Sequence, residues 1–266
     1  MSFPGVAVVI GSASGIGRAT AIRYASRGCT RIVLGDSHPV ALAETKSLIQ
    51  NVSRDADVMS LSCDVSSEAS VDSFVGQAAA TFGRIDYACN VAAVLIPSSS
   101  LQPSVADFDK LFAATTRSTQ ICQQAQLNQM ARQEPFRADD DLYPQRDSIV
   151  NILSVCGLRG SDDLHQYCAA KPLITDLTQS DALKVAKYYI RINAIYPGVI
   201  ITASLGEPDD DHESVMDDLV SKIAVGRMGL PEEVAEAALF LTSGKASLIT
   251  AATLAVDGGM QELRSK

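Results

Sequence analysis

Tyr167 and Lys171 stand four positions apart in Gln166-Tyr167-Cys168-Ala169-Ala170-Lys171, and Ser154 lies thirteen positions before the tyrosine. On a helix, positions i and i+4 share a face, so the phenol and the ammonium point the same way. A positive charge beside a phenol favours the phenolate and moves its pKa down from about 10, toward the range of a working general acid/base. A serine hydroxyl near both can hold a substrate oxygen while the proton moves. Taken alone, Y-x-x-x-K recurs in ordinary helices with Tyr in the core and Lys in solvent, so the rest of the chain has to decide.

The elements that would position these residues follow a regular alternation. Val6–Ile10, Arg31–Leu34, Val58–Cys63, Tyr87–Val91, Ser148–Ile152, Arg191–Ile195 and Thr253–Val256 read as strands. Gly17–Arg27, Ala41–Val52, Val71–Phe82, Phe108–Met130, Tyr167–Tyr188 and Pro231–Leu241 read as helices. Near-continuous apolar strands alternating with helices predict an α/β fold: a doubly wound, Rossmann-like parallel sheet in three α/β/α layers. No repeat and no linker divides the chain, so residues 1–266 read as a single domain. Two stretches break the pattern. The charged residues 131–147, with two prolines, read as a surface insertion. Residues 199–228, with Gly206, Pro208 and the acidic run Asp209–Asp211, are long enough to form a lid over a substrate. The aspartates themselves suit a solvated helix start.

After the first strand comes Gly11-Ser12-Ala13-Ser14-Gly15-Ile16-Gly17, then a helix. Glycines allow a tight turn and let a pyrophosphate approach the N–H groups of the helix start. The spacing is G-x-x-x-G-x-G, and a Gly-rich turn is weak evidence alone, but strand–turn–helix context strengthens it. Asp36 follows about twenty residues later, where a carboxylate accepts hydrogen bonds from both ribose hydroxyls and repels a 2′-phosphate. Ser14 precedes the second glycine and Ser37 follows the aspartate, so no basic residue stands where it would receive that phosphate. NAD is expected over NADP. The plain alternative is that Asp36 only starts a turn before Pro39.

Composition narrows the partners. Hydrophobic residues make up 47% and charged ones 20%, which is globular composition. Thirty-one acidic against 22 basic residues give a formal charge of −9, which disfavours nucleic acid and anionic membranes. No apolar run reaches a membrane span, and Val6–Ile10 has no basic region before it, so a cytoplasmic protein is expected. The six cysteines are scattered without a C-x-x-C pair, and His38, His165 and His212 do not cluster with them. Free thiols are expected, with no disulfide and no metal site.

From Val6 to Met260 the chain resembles the short-chain dehydrogenase/reductases. The resemblance covers the Gly-rich turn, Asp64-Val65, Asn90-Val91-Ala92-Ala93, Ser154, Tyr167, Lys171, Pro197-Gly198-Val199-Ile200-Ile201-Thr202, Gly226–Leu241 and Val256-Asp257-Gly258-Gly259. It implies that Gly11, Ser14, Gly15, Ile16, Gly17 and Asp36 hold the pyrophosphate and ribose, with Asp64 and Val65 at the adenine. Asn90 and Ala92 should shape the turn under the cofactor. Pro197, Gly198, Ile200 and Thr202 should hold the nicotinamide, whose ribose Lys171 also binds beside Tyr167. The implied reaction is hydride transfer between NAD(H) and a secondary alcohol or ketone, a small molecule of the secondary-metabolite type being one option. Tyr167 would move the proton and Ser154 orient the oxygen. His165, Leu158, Arg159, Gln166 and the 199–228 segment should line the substrate pocket.

Several residues depart from the family pattern. Thr115 stands where an Asn usually completes a proton relay; it keeps a hydroxyl but lacks the paired donor and acceptor of an amide. Val91, Ala93, Ile10 and Ala251 replace a usual Asn, Gly, Thr and Gly. Pro172 directly follows the lysine, where, away from a helix start, it removes a hydrogen bond and bends the axis. These changes keep two alternatives open: a biosynthetic enzyme doing isomerisation, cyclisation or dehydration on the same scaffold, and an NAD-binding sensor without turnover. Relatives are commonly homodimers or homotetramers built on the two long helices. Gln120, Gln123, Gln124, Gln126 and Gln129 make the first of these polar for such an interface.

Overall fold

The computed structural model describes residues 1–91, 104–136, 143–145, 147–157, 165–202 and 217–261. Seven parallel strands form one sheet in the order β3-β2-β1-β4-β5-β6-β7. They are β1 (Val6–Ile10), β2 (Arg31–Asp36), β3 (Asp57–Ser62), β4 (Tyr87–Asn90), β5 (Asp147–Ile152), β6 (Ile190–Pro197) and β7 (Thr253–Val256). The helices are α1 (Gly15–Ser26), α2 (Pro39–Val52), α3 (Glu68–Phe82), α4 (Val105–Phe112), α5 (Ser118–Met130), α6 (His165–Ala170), α7 (Leu173–Val185) and α8 (Pro231–Thr242). The doubly wound α/β fold expected from the alternation is the fold observed.

The period of two along the strands divides the core. Ala7 and Val9 face one side with Tyr24 of α1, Leu42 and Ile49 of α2, and Val234, Ala238 and Leu239 of α8. Val6, Val8 and Ile10 face the other with Phe74 and Val75 of α3, Cys122 and Leu127 of α5, and Ala182 of α7. All six cysteines are free, four of them buried and Cys156 and Cys168 half-buried. Strand order reverses between β1 and β4, which opens the crevice at their carboxyl ends where ligands bind in such sheets. No described helix is long and apolar enough to cross a membrane.

Two helices differ from expectation. The helix expected over Tyr167–Tyr188 is broken: α6 ends at Ala170 and α7 begins at Leu173, because Pro172 lacks the N–H that would continue the ladder. The other runs without interruption from Val105 to Met130 but widens into a π-helical turn at Ala113–Arg117. Thr115, Ser118 and Thr119 turn their hydroxyls onto the main-chain carbonyls of Leu111, just before this turn, and of Ala114 and Thr115 within it.

Gln123 and Gln126 are turned into the interior of the chain itself. Both are buried, and they belong to a chain of amides through the interior. Gln126 and Asn90 exchange two hydrogen bonds at 3.0 and 2.8 Å, and Asn90 also donates to Asn151 at 3.0 Å. Asn151 donates to Gln123 and to Thr178, and Gln123 reaches Asp181 at 2.8 Å. These two of the five glutamines therefore serve internal pairing with β4, β5 and α7, while Gln124 is exposed and pairs with Asn128 of its own helix.

The ends of the 131–147 segment are tied to the core. Gln133 donates to the Ile85 carbonyl and to Asp147, and accepts from the Ile85 N–H. Phe136 and Gln145 form an antiparallel bridge. Gln145 receives two N–H groups of the buried Arg191. Its middle, residues 137–142, lies outside the described residues, as do 203–216 of the expected lid.

Ala251, where the family pattern has Gly, adopts φ +58. A Cβ in this left-handed region costs about 1–2 kcal/mol. Ala251→Gly is expected to stabilise the protein by about 0.5–1 kcal/mol after the extra chain entropy of glycine is subtracted, measurable as a shift of the urea midpoint.

Candidate active site

The Gly-rich turn leaves β1 under a main-chain pair: the N–H groups of Gly11 and Ser12 both reach the Gly35 carbonyl on β2. A Cβ on Gly17 would fall 2.0 Å from the Gly11 carbonyl oxygen, so the close passage of α1 over the turn requires glycine. Gly15 adopts φ +50 and lies against Thr202, bringing the first βα turn and the segment after β6 together. Ser14 is the exposed N-cap of α1, but its side chain makes no capping bond, and the first turn holds no acidic residue. The donors of this helix start are thus left for an anion, which is the condition a pyrophosphate needs. Ile16 packs half-buried against the core.

Asp36 closes β2 facing the turn. Its Oδ2 accepts from the Ala13 N–H at 3.0 Å, and its Oδ1 lies 3.1 Å from His38 Nδ1. Sequence reasoning missed His38 here and also Arg18, whose position just after Gly17 was the available signal. The Arg18 guanidinium clasps the turn to α2 through the Ala13 carbonyl, Thr45 and Glu44. Glu44 pairs with its charge at 3.0 Å.

The remaining cofactor candidates lie along the same edge of the sheet. Asp64 is exposed, and two hydrogen bonds from Ser66 hold its carboxyl below the usual range. Val65 packs half-buried beside it. Asn90 spends its side chain on Gln126 and Asn151, so it shapes the turn from below and offers little to a ligand. Pro197 ends β6, and a Cβ on Gly198 would fall 2.7 Å from the Asp257 Cα. Ile200 turns its side chain into the core, leaving only its main chain for a ligand. Ala92, Leu158 and Arg159 lie outside the described residues, as does the side chain of His165.

Ser154, Tyr167 and Lys171 converge just past the end of β5. The Ser154 hydroxyl interacts with the Tyr167 phenol and favours its ionised form, and the Lys171 ammonium lies over the tyrosine ring, 5.4 Å from its centroid. The Ser154 Oγ also accepts the Cys156 N–H at 3.2 Å. Lys171 is almost fully buried and donates to the Ile152 carbonyl at 3.2 Å.

The electrostatics depart from expectation. Burial pushes the Tyr167 phenol well above its ordinary value, Cys156 adds to that, and the Ser154 hydroxyl opposes it. Burial also brings the Lys171 ammonium down to about 8, with Cys156 opposing. The ligand-free site therefore does not hold a phenolate, because removing both groups from water disfavours both charged forms. Thr115 is buried, and its hydroxyl donates to Leu111 O at 2.6 Å within its own helix. Its carbonyl accepts from Ser118 and Thr119 at 2.9 and 2.8 Å. Thr116, not singled out by the sequence, reaches across instead, donating to the Ala170 carbonyl at 2.6 Å. Gln166 is buried and donates to the Ser104 carbonyl.

Residues 11–261 match a family profile described as enoyl-(acyl carrier protein) reductase. A short-chain dehydrogenase of Neurospora crassa is 34% identical over 97% of this chain and 97% of its own length. The chain belongs to the short-chain dehydrogenase/reductase family. Among the relatives in this family, cis-4-hydroxycyclohexanecarboxylate dehydrogenase of Sinomonas cyclohexanicum is 35% identical, covering 96% of this chain and 95% of that protein. The crystal structure of levodione reductase superposes with a TM-score of 0.90 at 30% identity, over 99% of this chain and all of that one. As a short-chain dehydrogenase/reductase, the chain is an oxidoreductase that works with a nicotinamide dinucleotide.

Proposed function

We propose that the protein transfers a hydride between NAD(H) and a secondary alcohol or ketone, with Tyr167 as the general acid/base. The observation that carries this reading is the Lys171 ammonium over the Tyr167 phenol ring, with the Ser154 hydroxyl acting on the same phenol. Ser154 orients the substrate oxygen, Tyr167 gives or takes its proton at the phenolic oxygen, and Lys171 stabilises the phenolate when that proton has left. The dinucleotide, when bound, supplies the hydride acceptor or donor. Gly11, Ser14, Gly15 and Gly17 carry the pyrophosphate at the start of α1, Asp36 takes the ribose hydroxyls, and Asp64 and Val65 meet the adenine. Main-chain groups of Pro197, Gly198 and Ile200 hold the nicotinamide with Thr202. Thr115 contributes through the shape of its π-turn, since its hydroxyl and carbonyl are both occupied.

The substrate class rests on the relatives. One is named for a ring alcohol, cis-4-hydroxycyclohexanecarboxylate, and another, from Serratia marcescens, for meso-2,3-butanediol. A panel of these two alcohols, with levodione for the reverse direction, tests the reading by formation or loss of NADH absorbance. No turnover with any of them, in either direction and with either dinucleotide, would count against it. In this reading the chain acts as one catalytic unit within a homodimer or homotetramer, and the 199–228 segment covers the substrate.

NAD is the preferred dinucleotide because the Asp36 carboxylate repels a 2′-phosphate, while the nearby Arg18 charge is already paired with Glu44. A hydrogen bond to a charged group is worth roughly 1.5–3 kcal/mol. Asp36→Ala is therefore expected to lower kcat/KM for NAD by about tenfold or more and to raise that for NADP. A wild-type protein that already favours NADP would overturn the assignment.

A further inference from the structure

Pro172, a departure from the family pattern, and Thr116 of the π-turn act on one carbonyl. In an unbroken helix the Ile174 N–H would bond to the Ala170 carbonyl. Here Ile174 bonds to Lys171 at 3.1 Å and Thr175 to Pro172 at 2.8 Å, the tight i→i+3 pattern of a helix restarting after proline. Among the described residues, the donor that meets the buried Ala170 carbonyl is the Thr116 hydroxyl, 54 positions away and at 2.6 Å. The short strong bond lands on the peptide group that joins Ala170 to Lys171.

We infer that Thr116 is a positioning residue for Lys171: its hydroxyl takes the place at the Ala170 carbonyl of the Ile174 N–H, which the break at Pro172 diverts to Lys171, and fixes the main chain of the catalytic turn against the π-turn. Two further contacts complete the clamp. A Cβ on Gly157 would stand 3.2 Å from the Lys171 Cβ and 3.3 Å from the Pro172 Cδ, so the Ser154–Gly157 turn packs directly on this break. The Lys171 ammonium is anchored at its far end on the Ile152 carbonyl. Lysine is thereby held at its main chain, at its Cβ and at its head group. Only the first hold comes from outside the sheet-edge segments that carry Ser154 and Tyr167. The inference rests on the proposed redox reading of the same site.

The test uses the whole protein and three variants: Thr116→Val, Thr116→Ser, and Thr116→Val combined with Pro172→Ala. A displacement of about 1 Å at a reacting centre lowers rates by up to roughly 10². Thr116→Val is expected to lower kcat at least tenfold in NAD-dependent oxidation of the best alcohol of the panel, with KM for NAD within twofold. In the ligand-free protein it is expected to move the Lys171 titration, followed by NMR of labelled lysine side chains, upward by at least half a pH unit as water reaches the ammonium. Thr116→Ser should restore both. Combining Thr116→Val with Pro172→Ala should recover most of kcat, because without the proline ring the helix can continue and the Ile174 N–H can return to the Ala170 carbonyl. Unchanged kcat and titration in Thr116→Val would overturn the inference, as would a Thr116→Ser variant no better than Thr116→Val. Should Thr116→Val alone not fold, the serine variant and the double variant decide by the same criteria. Tyr167→Phe run alongside separates the two claims: if it retains turnover the redox reading fails, whereas if it is inactive and Thr116→Val is normal, only the positioning role fails.

Discussion

Tyr167→Phe is expected to reduce turnover by about 10²–10⁴, the usual contribution of a placed proton donor or acceptor, while NAD(H) binding changes by no more than a fewfold. The separation of the two effects follows from the geometry. The phenol feels the Ser154 hydroxyl, and Tyr167 packs in one cluster with Leu111 and Ala170. Removing one oxygen leaves that packing intact, and Ser154 keeps the Cys156 N–H as a partner. The folded protein should therefore melt within a few degrees of the wild type. Steady-state kinetics with the best panel alcohol, paired with a fluorescence titration of NADH, measures both quantities. A variant that turns over within tenfold of the wild type would remove the phenol from the mechanism.

Lys171→Met is expected to do two opposite things. Turnover falls by at least 10², because the phenolate loses its neighbouring positive charge. Stability of the ligand-free protein at pH 7 rises by about 1–3 kcal/mol. The gain comes from burial: the ammonium is brought from 10.5 down to about 8 in the folded protein, and each pH unit of displacement corresponds to about 1.4 kcal/mol against the charged form. Losing the bond to the Ile152 carbonyl takes back part of it. The sign with pH is fixed. The unfolded chain keeps this proton up to about pH 10.5 and the folded one releases it near 8, so between those values the unfolded state binds more protons and wild-type stability rises with pH. The advantage of the methionine variant should accordingly shrink above pH 8 and vanish by about pH 10.5. Urea unfolding at pH 7 and pH 10 reads this directly; a variant less stable than the wild type at pH 7 contradicts it. Such a trade between stability and a strained functional group is common at active sites.

Much of this architecture is legible in the chain because periodicity of two and of 3.6 carries it: all seven strands lie where the apolar runs place them. The meeting of Ser154, Tyr167 and Lys171 is legible because two of them share a helical turn and the third follows two residues after a strand. Other features depend on where a side chain turns, and spacing does not encode that. Thr115 occupies the expected position, yet its hydroxyl folds back onto Leu111 while its neighbour Thr116 spans to the next helix. Gln123 and Gln126 look like surface polarity in one dimension; only the register of β4 against β5 reveals their partners. The lowering of the phenol by its lysine failed as an expectation for a similar reason, since composition says nothing of how deeply both groups are buried.

The amide chain through Asn90 and Asn151 has a consequence for how the chain finds its native alignment. Central strands that are apolar on both faces could slide past one another and still bury similar surface. Asn90 and Asn151 sit directly opposite each other in the pairing of β4 with β5. A slip in either direction would strand several desolvated amides without partners, at roughly 1–3 kcal/mol each. Oily strands alone would tolerate several alignments; this polar zipper admits one, and so sets the height of the serine loop above the dinucleotide crevice before any ligand arrives.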